Sequence, residues 1–345
     1  MRVVEVKAMV HEWMETYGQS LPGFRAAHFM GSINQLTDDA SFPAHSDVDM
    51  SIVHDGETRM EPIDLDYKGV MIEYGLRNPQ LYETAEKILA SSDLAPQLVQ
   101  DSIIVDPHDF LRKSQPQIAR EYKRRKWVQA RVDNERQIID ASIAQLRGAT
   151  NLPDALLAVW NLTLYLGGAV TVAALQPPTH RKSLVRMKEV LAPLDELELH
   201  EAVLQFFGCA DVTPQQARTL LNDAANAFDF ALSIKKTPAP FDFKLKPHLR
   251  PYFYEGSLEM IDAGYHREAA PWIAALHATA IMTIQIDAED DARRNYGLRY
   301  QDLLMALDLA HPDAIERRKQ QVSELAERTF KVAGKIVAGH PEVVD

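Results

Sequence analysis

The sequence predicts an α+β protein: an N-terminal mixed β-sheet domain with flanking helices, followed by an all-α C-terminal domain. Three observations predict it. Short apolar or alternating runs of strand length are confined to residues 1–107. Residues 108–345 hold no convincing period-2 run and read as long helices. Those helices are punctuated by Pro177-Pro178, by Pro238-Ala239-Pro240 and by the stretch from Pro247 to Pro251. The boundary falls near 107–115, giving domains of 1–107 and 108–345.

Each element has a local reason. Val3, Val4, Ala8, Met9, Trp13 and Met14 recur at roughly helical spacing, so 2–18 reads as an amphipathic helix ended by Leu21-Pro22-Gly23. Residues 24–30 (FRAAHFM) read as a strand running into Gly31-Ser32. Residues 33–46, rich in Asp, Ser, Thr and Pro, read as a helical turn and a loop. Residues 47–53 (DVDMSIV) alternate polar and apolar and then turn apolar, which is strand-like. Two more strands are expected at 62–67 and 70–76, joined by a tight turn at Lys68-Gly69. A helix over 80–91 and a last strand over 101–105, stopped at Asp106-Pro107, complete the domain. Helices are then expected over 116–148, 153–175, 183–207, 214–235, 256–262, 268–287 and 314–338.

Composition bounds the class. The chain has 345 residues, 46% of them hydrophobic and 25% charged, values ordinary for a globular protein able to bury a large core. The single cysteine, Cys209, allows no internal disulfide and fits a reducing cytoplasm. Charges interrupt the N-terminal stretch every few residues, so neither a signal peptide nor a membrane span is expected there. The net charge of −12 is uneven: residues 1–107 carry 7 basic and 18 acidic side chains, whereas 108–345 carry 30 and 31. An acidic first domain is a poor surface for phosphate backbones and argues against a polymeric nucleic-acid partner. It suits a site that gathers cations.

The informative stretch is 30–53, MGSINQLTDDASFPAHSDVDMSIV. Gly31 lets the backbone approach a phosphate without a side chain in the way. Ser32 adds a hydroxyl donor, and the N–H groups of the following turn point at an anion. Asp47 and Asp49 lie two apart on a strand, so both carboxylates face one side. Such a pair can hold two hard divalent cations, roughly 3.5–4 Å apart, that stabilise the attacking and leaving oxygens of a phosphoryl displacement. A third carboxylate is then wanted on a neighbouring strand. Glu73 is the best candidate, an acid set among Val70, Met71, Ile72 and Tyr74, where a carboxylate is costly unless a metal or proton satisfies it. Asp64 and Asp66 on the preceding strand compete for the role. No Walker-type phosphate loop, no Gly-x-Gly-x-x-Gly and no His-x-x-x-His occurs.

Gly-Ser, a loop and then Asp-x-Asp on a strand, followed by Glu73, resembles the signature of the DNA polymerase β-like nucleotidyltransferase superfamily. The motif covers about 75 residues of an acidic N-terminal domain. Fourteen residues separate Ser32 from Asp47, slightly more than the family's usual gap. The helical second part is similar to the layout of antibiotic nucleotidyltransferases acting on aminoglycosides and lincosamides. The resemblance implies two Mg²⁺ ions on Asp47, Asp49 and Glu73, an NTP held by Gly31 and Ser32, and a small-molecule acceptor. Because the site lies between domains in the resembling enzymes, His180, Arg181 and Lys182 (from THRKS, 179–183) become candidates for nucleotide binding.

Other features carry less. The basic run EYKRRKW at 121–127 reads as a solvated helix face with acids nearby, though it can also meet phosphates. Trp160 at helical spacing reads as core, while Tyr252 to Tyr254, in a Pro-bounded and loop-like segment, are candidates for stacking. The leading expectation is Mg²⁺-dependent transfer of a nucleoside monophosphate to a hydroxyl, releasing pyrophosphate. The alternatives are nucleotidylation of a protein or tRNA, and a nucleotide-binding regulatory module without turnover. The Arg and His spacing typical of toxins paired with minimal nucleotidyltransferases is absent.

Overall fold

The computed structural model describes residues 1–57 and 61–345. The chain is α+β and forms two compact units. The first comprises Met1–Asn134, Leu175–Pro177 and Val337–Asp345, the second Glu135–Ala174 and Pro178–Ile336.

The first unit is built on a five-stranded mixed sheet. Its strands are Phe24–Phe29 (β1), Asp47–His54 (β2), Ile63–Tyr67 (β3), Val70–Arg77 (β4) and Ile103–Val105 (β5), in the order β3-β4-β2-β1-β5. β2 and β4 run parallel, and the other pairs are antiparallel. The β3–β4 hairpin turns on Lys68 and Gly69, both at positive φ (54° and 82°), as a two-residue turn with the twist of the flanking strands demands.

One face of the sheet is covered by the helix Val3–Thr16 (α1). Val3, Val6, Val10, Trp13 and Met14 pack on Phe29, Val48, Met50, Ile52, Ile72 and Tyr74. The other face carries a second core. There Ala26 and Val53 pack against Ala85, Ile88 and Leu89 of Ala85–Ala90 (α2) and Ala95 and Leu98 of Ala95–Leu98 (α3). On this face of β2, Asp47 and Asp49 are half-buried, and Ser51 and Val53 are buried.

The helix expected over 116–148 is two helices, Gln115–Glu121 (α4) and Arg125–Gly148 (α5). The break is made from far away in sequence. Val344 accepts from the Arg125 N–H at 2.7 Å and donates to the Lys123 carbonyl at 3.0 Å. Backbone groups satisfied by a distant strand-like partner have no need of a continuous helix. The basic run therefore straddles a turn, and its charges are taken up locally. Glu121 lies within 3.8 Å of Arg124 and 3.3 Å of Lys126, Lys123 pairs with Glu342, and Arg125 pairs with Asp345 at 2.6 Å.

A buried arginine closes this unit. Arg131 is fully buried and donates to the Leu89 carbonyl at 3.2 Å and the Tyr122 carbonyl at 2.8 Å. These are among the last carbonyls of α2 and α4, groups a helix cannot satisfy itself. Burial lowers the Arg131 pKa to about 10, so the side chain stays charged at neutral pH. Arg131→Met is expected to lower unfolding free energy by about 2–4 kcal/mol, because two buried carbonyls lose their donors. Urea melts of the variant would measure it; a loss under about 0.5 kcal/mol would contradict the capping role.

The second unit is helical. Beyond the rest of α5 it contains Leu152–Ala173 (α6), Ser183–Leu191 (α7), Leu197–Phe207 (α8), Pro214–Ile234 (α9), Leu249–Asp262 (α10), Ala270–Asp287 (α11), Asp290–Ala306 (α12) and most of Pro312–Gly339 (α13). Among the described residues, α6 alone is long and apolar enough to cross a membrane, and its apolar stretch is 72% buried within the protein. The stretch 183–207 is broken because Pro193 has no N–H to continue α7, and Asp195 turns to a φ of 56°. Residues 252–254 are not a loop: Pro251 sits in the first turn of α10, where no N–H partner is required, and the helix runs on from there. In α12 only Leu303 and Leu304 are buried, so no apolar stripe marks it. Arg318 repeats the logic of Arg131, donating to the carbonyls of Phe206 in the last turn of α8 at 2.7 Å and of Asp308 just beyond α12 at 2.9 Å. Cys209 is buried, and desolvation raises the pKa of its thiol.

Candidate metal centre

The parallel register of β2 and β4 sets Asp49 directly beside Glu73 and Asp47 beside Met71. Residues paired this way project to the same side of a sheet, as do residues two apart on one strand. Asp47, Asp49 and Glu73 therefore share one face of the sheet. Each is half-buried, and one carboxylate oxygen from each lies within 4.8 Å of the other two. The set is all-oxygen and all-anionic, which suits a hard divalent cation such as Mg²⁺. Oxygens bound at about 2.1 Å to one Mg²⁺ stand roughly 3–4 Å apart, so these three are close to the spacing a shared ion needs.

Gly31 adjoins this cluster. It follows β1 and opens a single 3₁₀ turn, Gly31–Gln35, with φ at 67°. A Cβ at Gly31 would stand 2.5 Å from the Asp49 Oδ2. The neighbouring Met30 N–H donates to the Asp49 carbonyl at 2.7 Å. The turn is thus fastened to the strand that carries the carboxylates, and only glycine satisfies both the backbone angle and the close approach. Ser32 is exposed on the first residues of the turn.

The two competing acids stand on β3, with register partners Glu73 and Met71 on the face that carries the cluster. Asp64 is buried and stands opposite Glu73 in the β3–β4 register. Asp66 is exposed and accepts the Gly69 N–H at 3.2 Å, which makes it part of the hairpin turn. His180, Arg181 and Lys182 belong to the second unit. There Arg181 donates to the Tyr252 carbonyl at 3.0 Å and lies over its ring, and Lys182 pairs with Glu259 at 3.2 Å.

Sequence reasoning passed over the polar groups beneath the turn. His28 is fully buried next to Ser51 in the β1–β2 register, with Nε2 3.0 Å from the Tyr82 hydroxyl and Nδ1 3.1 Å from the Phe29 carbonyl. Burial lowers the His28 pKa from 6.5 to about 4. A histidine held neutral contributes stability that is full above pH 6.5 and is lost as pH falls from 6.5 toward 4, because the unfolded chain binds the proton first. Between pH 7 and 5 the loss from His28 is expected to be about 2 kcal/mol, and His28→Gln should shrink the pH dependence of urea unfolding by that amount. An unchanged difference between the two pH values would show that His28 does not titrate this way.

The fold and the site together define an α+β protein with a carboxylate cluster and a glycine turn on one face of a mixed sheet. No protein-family model matches the chain, and no curated protein matches it in sequence.

Proposed function

We propose that this chain is a metal-dependent nucleotidyltransferase of the DNA polymerase β-like kind, acting on a small hydroxyl-bearing acceptor. The observation that carries the reading is the gathering of Asp47, Asp49 and Glu73 within 4.8 Å of one another beside the Gly31 turn. In this reading Asp47 and Asp49 hold two Mg²⁺ ions, with Glu73 as a third ligand or as the base. When bound, the ions would neutralise charge developing on the phosphates.

The chain's own groups account for the rest. The N–H groups and hydroxyl at Gly31 and Ser32 orient the triphosphate. Glu73 takes the proton of the acceptor hydroxyl; the oxygen attacks the α-phosphorus, the bond to the bridging oxygen breaks, and pyrophosphate leaves. The acidic charge of residues 1–107 favours a neutral or cationic acceptor over a nucleic acid. His180, Arg181 and Lys182 enter this reading as further nucleotide contacts.

The test is incubation with each NTP, Mg²⁺ and a panel of metabolites, aminoglycosides and lincosamides, with tRNA and the protein itself included as macromolecular acceptors. A mass increase of one nucleoside monophosphate on a small molecule, with equimolar pyrophosphate, is expected. Label in tRNA or protein would move the acceptor class. Mg²⁺-dependent nucleotide binding without turnover on any acceptor would reduce the chain to a binding module.

A further inference from the structure

Below the Gly31 turn runs a continuous line of polar groups that none of the assigned roles uses. Asn34, on the turn itself, donates from Nδ2 to the Phe29 carbonyl at 3.0 Å and to the Gln97 Oε1 at 2.8 Å. The orientation of the amide is set by chemistry: the Phe29 carbonyl can only accept, so the nitrogen of Asn34 must face it. Gln97 is only 2% exposed and lies in α3, which packs against this face of the sheet. The same Phe29 carbonyl is approached from the other side by His28, which in turn meets Tyr82. The line therefore reads Tyr82, His28, the Phe29 carbonyl, Asn34 and Gln97.

The node of the line is mechanically placed. Phe29 ends β1, Met30 follows it and bonds to Asp49, and Gly31 comes next. A residue that clamps the Phe29 carbonyl from within the turn closes the turn on itself, and one that also grips α3 fixes it against the body of the unit. Among the described residues, backbone–backbone bonds tie Phe29 to Ser102 and Met30 to Asp49, ahead of the turn.

We propose that Asn34, gripped by Gln97, is a positioning residue for nucleotide binding: it holds the Gly31–Gln35 turn in the shape that receives the triphosphate, without touching the nucleotide itself. This rests on the nucleotidyltransferase reading. It predicts a loss in nucleotide affinity rather than in the chemical step, because the carboxylates stand on separate strands whose pairing Asn34 does not enter.

The test uses the full chain and a fluorescent ATP analogue with Mg²⁺, alongside steady-state kinetics once an acceptor is in hand. Asn34→Asp keeps the shape and removes both donors, setting an acceptor against two acceptors. It is expected to raise the nucleotide Kd and KM about tenfold, the size of one or two neutral hydrogen bonds, with kcat changed less than about threefold. From the other side of the bond, Gln97→Met should weaken binding by a similar factor, whereas Gln97→Glu, which still offers an acceptor oxygen, should restore it. If Asn34→Asp fails to fold, the Gln97 pair decides. Wild-type affinity in both Asn34→Asp and Gln97→Met overturns the proposal, as does a fall in kcat with KM unmoved. If the wild-type chain binds no nucleotide with Mg²⁺, it is the nucleotidyltransferase reading that fails, and the two failures are told apart by that control.

Discussion

Asp49→Asn is expected to lower Mg²⁺-dependent nucleotidyl transfer by about a thousandfold or more while leaving the fold intact. The substitution keeps the shape of the side chain and removes its charge. β2 is held by its register with β4, and the Met30 N–H bonds to the Asp49 carbonyl, not the carboxylate. Three carboxylates within 4.8 Å repel one another when no cation lies between them. Added Mg²⁺ should raise the wild-type melting temperature by ligand linkage and raise that of the variant less. Asp66→Asn is the matched control, an exposed acid of the hairpin turn for which turnover should be unchanged. Turnover by Asp49→Asn within tenfold of wild type, or a wild-type melt blind to Mg²⁺, would falsify the metal assignment.

Gly31→Ala is the second large effect, and it separates strain from collision. At a φ of 67° an alanine costs about 1–2 kcal/mol through its own backbone. Its Cβ would also stand 2.5 Å from the Asp49 Oδ2, closer than real Cβ contacts come, so the turn or the carboxylate must move. A displacement near 1 Å at reacting groups costs on the order of a hundredfold in rate. Gly31→Ala is expected to lose about that much activity and a few degrees of melting temperature. Gly69 isolates the strain: its φ is 82°, and no atom lies within 4 Å of a Cβ built there. Gly69→Ala should lose similar stability and keep full activity. Equal activity losses in the two variants would mean that the Gly31 contact with Asp49 does nothing specific.

Much of the first unit was legible before any coordinates. The alternation of DVDM followed by the apolar run through Val53 predicts a strand, and β2 spans Asp47–His54. Lys68-Gly69 specified a two-residue hairpin turn, and both residues take the left-handed backbone it needs. These signals are local, because the side-chain period of a strand and the φ of a turn are properties of a few neighbouring residues. The helices that were misjudged failed for the same reason in reverse. α12 carries almost no apolar stripe, the helix after Glu121 is interrupted by Val344 from the far end of the chain, and the Pro247 to Pro251 stretch hides a helix start.

By itself, then, the chain's sequence determined the α+β class, with strands in its N-terminal part and helices after it, and the strand that carries Asp47 and Asp49. Only the tertiary structure decided that Glu73 stands beside Asp49, that Asp66 serves the hairpin, that Arg131 closes two helices, and that Asn34 is gripped by Gln97. The division is physical. Periodicity and backbone preference act over a few residues and can be read in order, whereas strand register and the partners of buried polar groups are chosen among groups far apart in sequence, by whichever arrangement satisfies all of them at once.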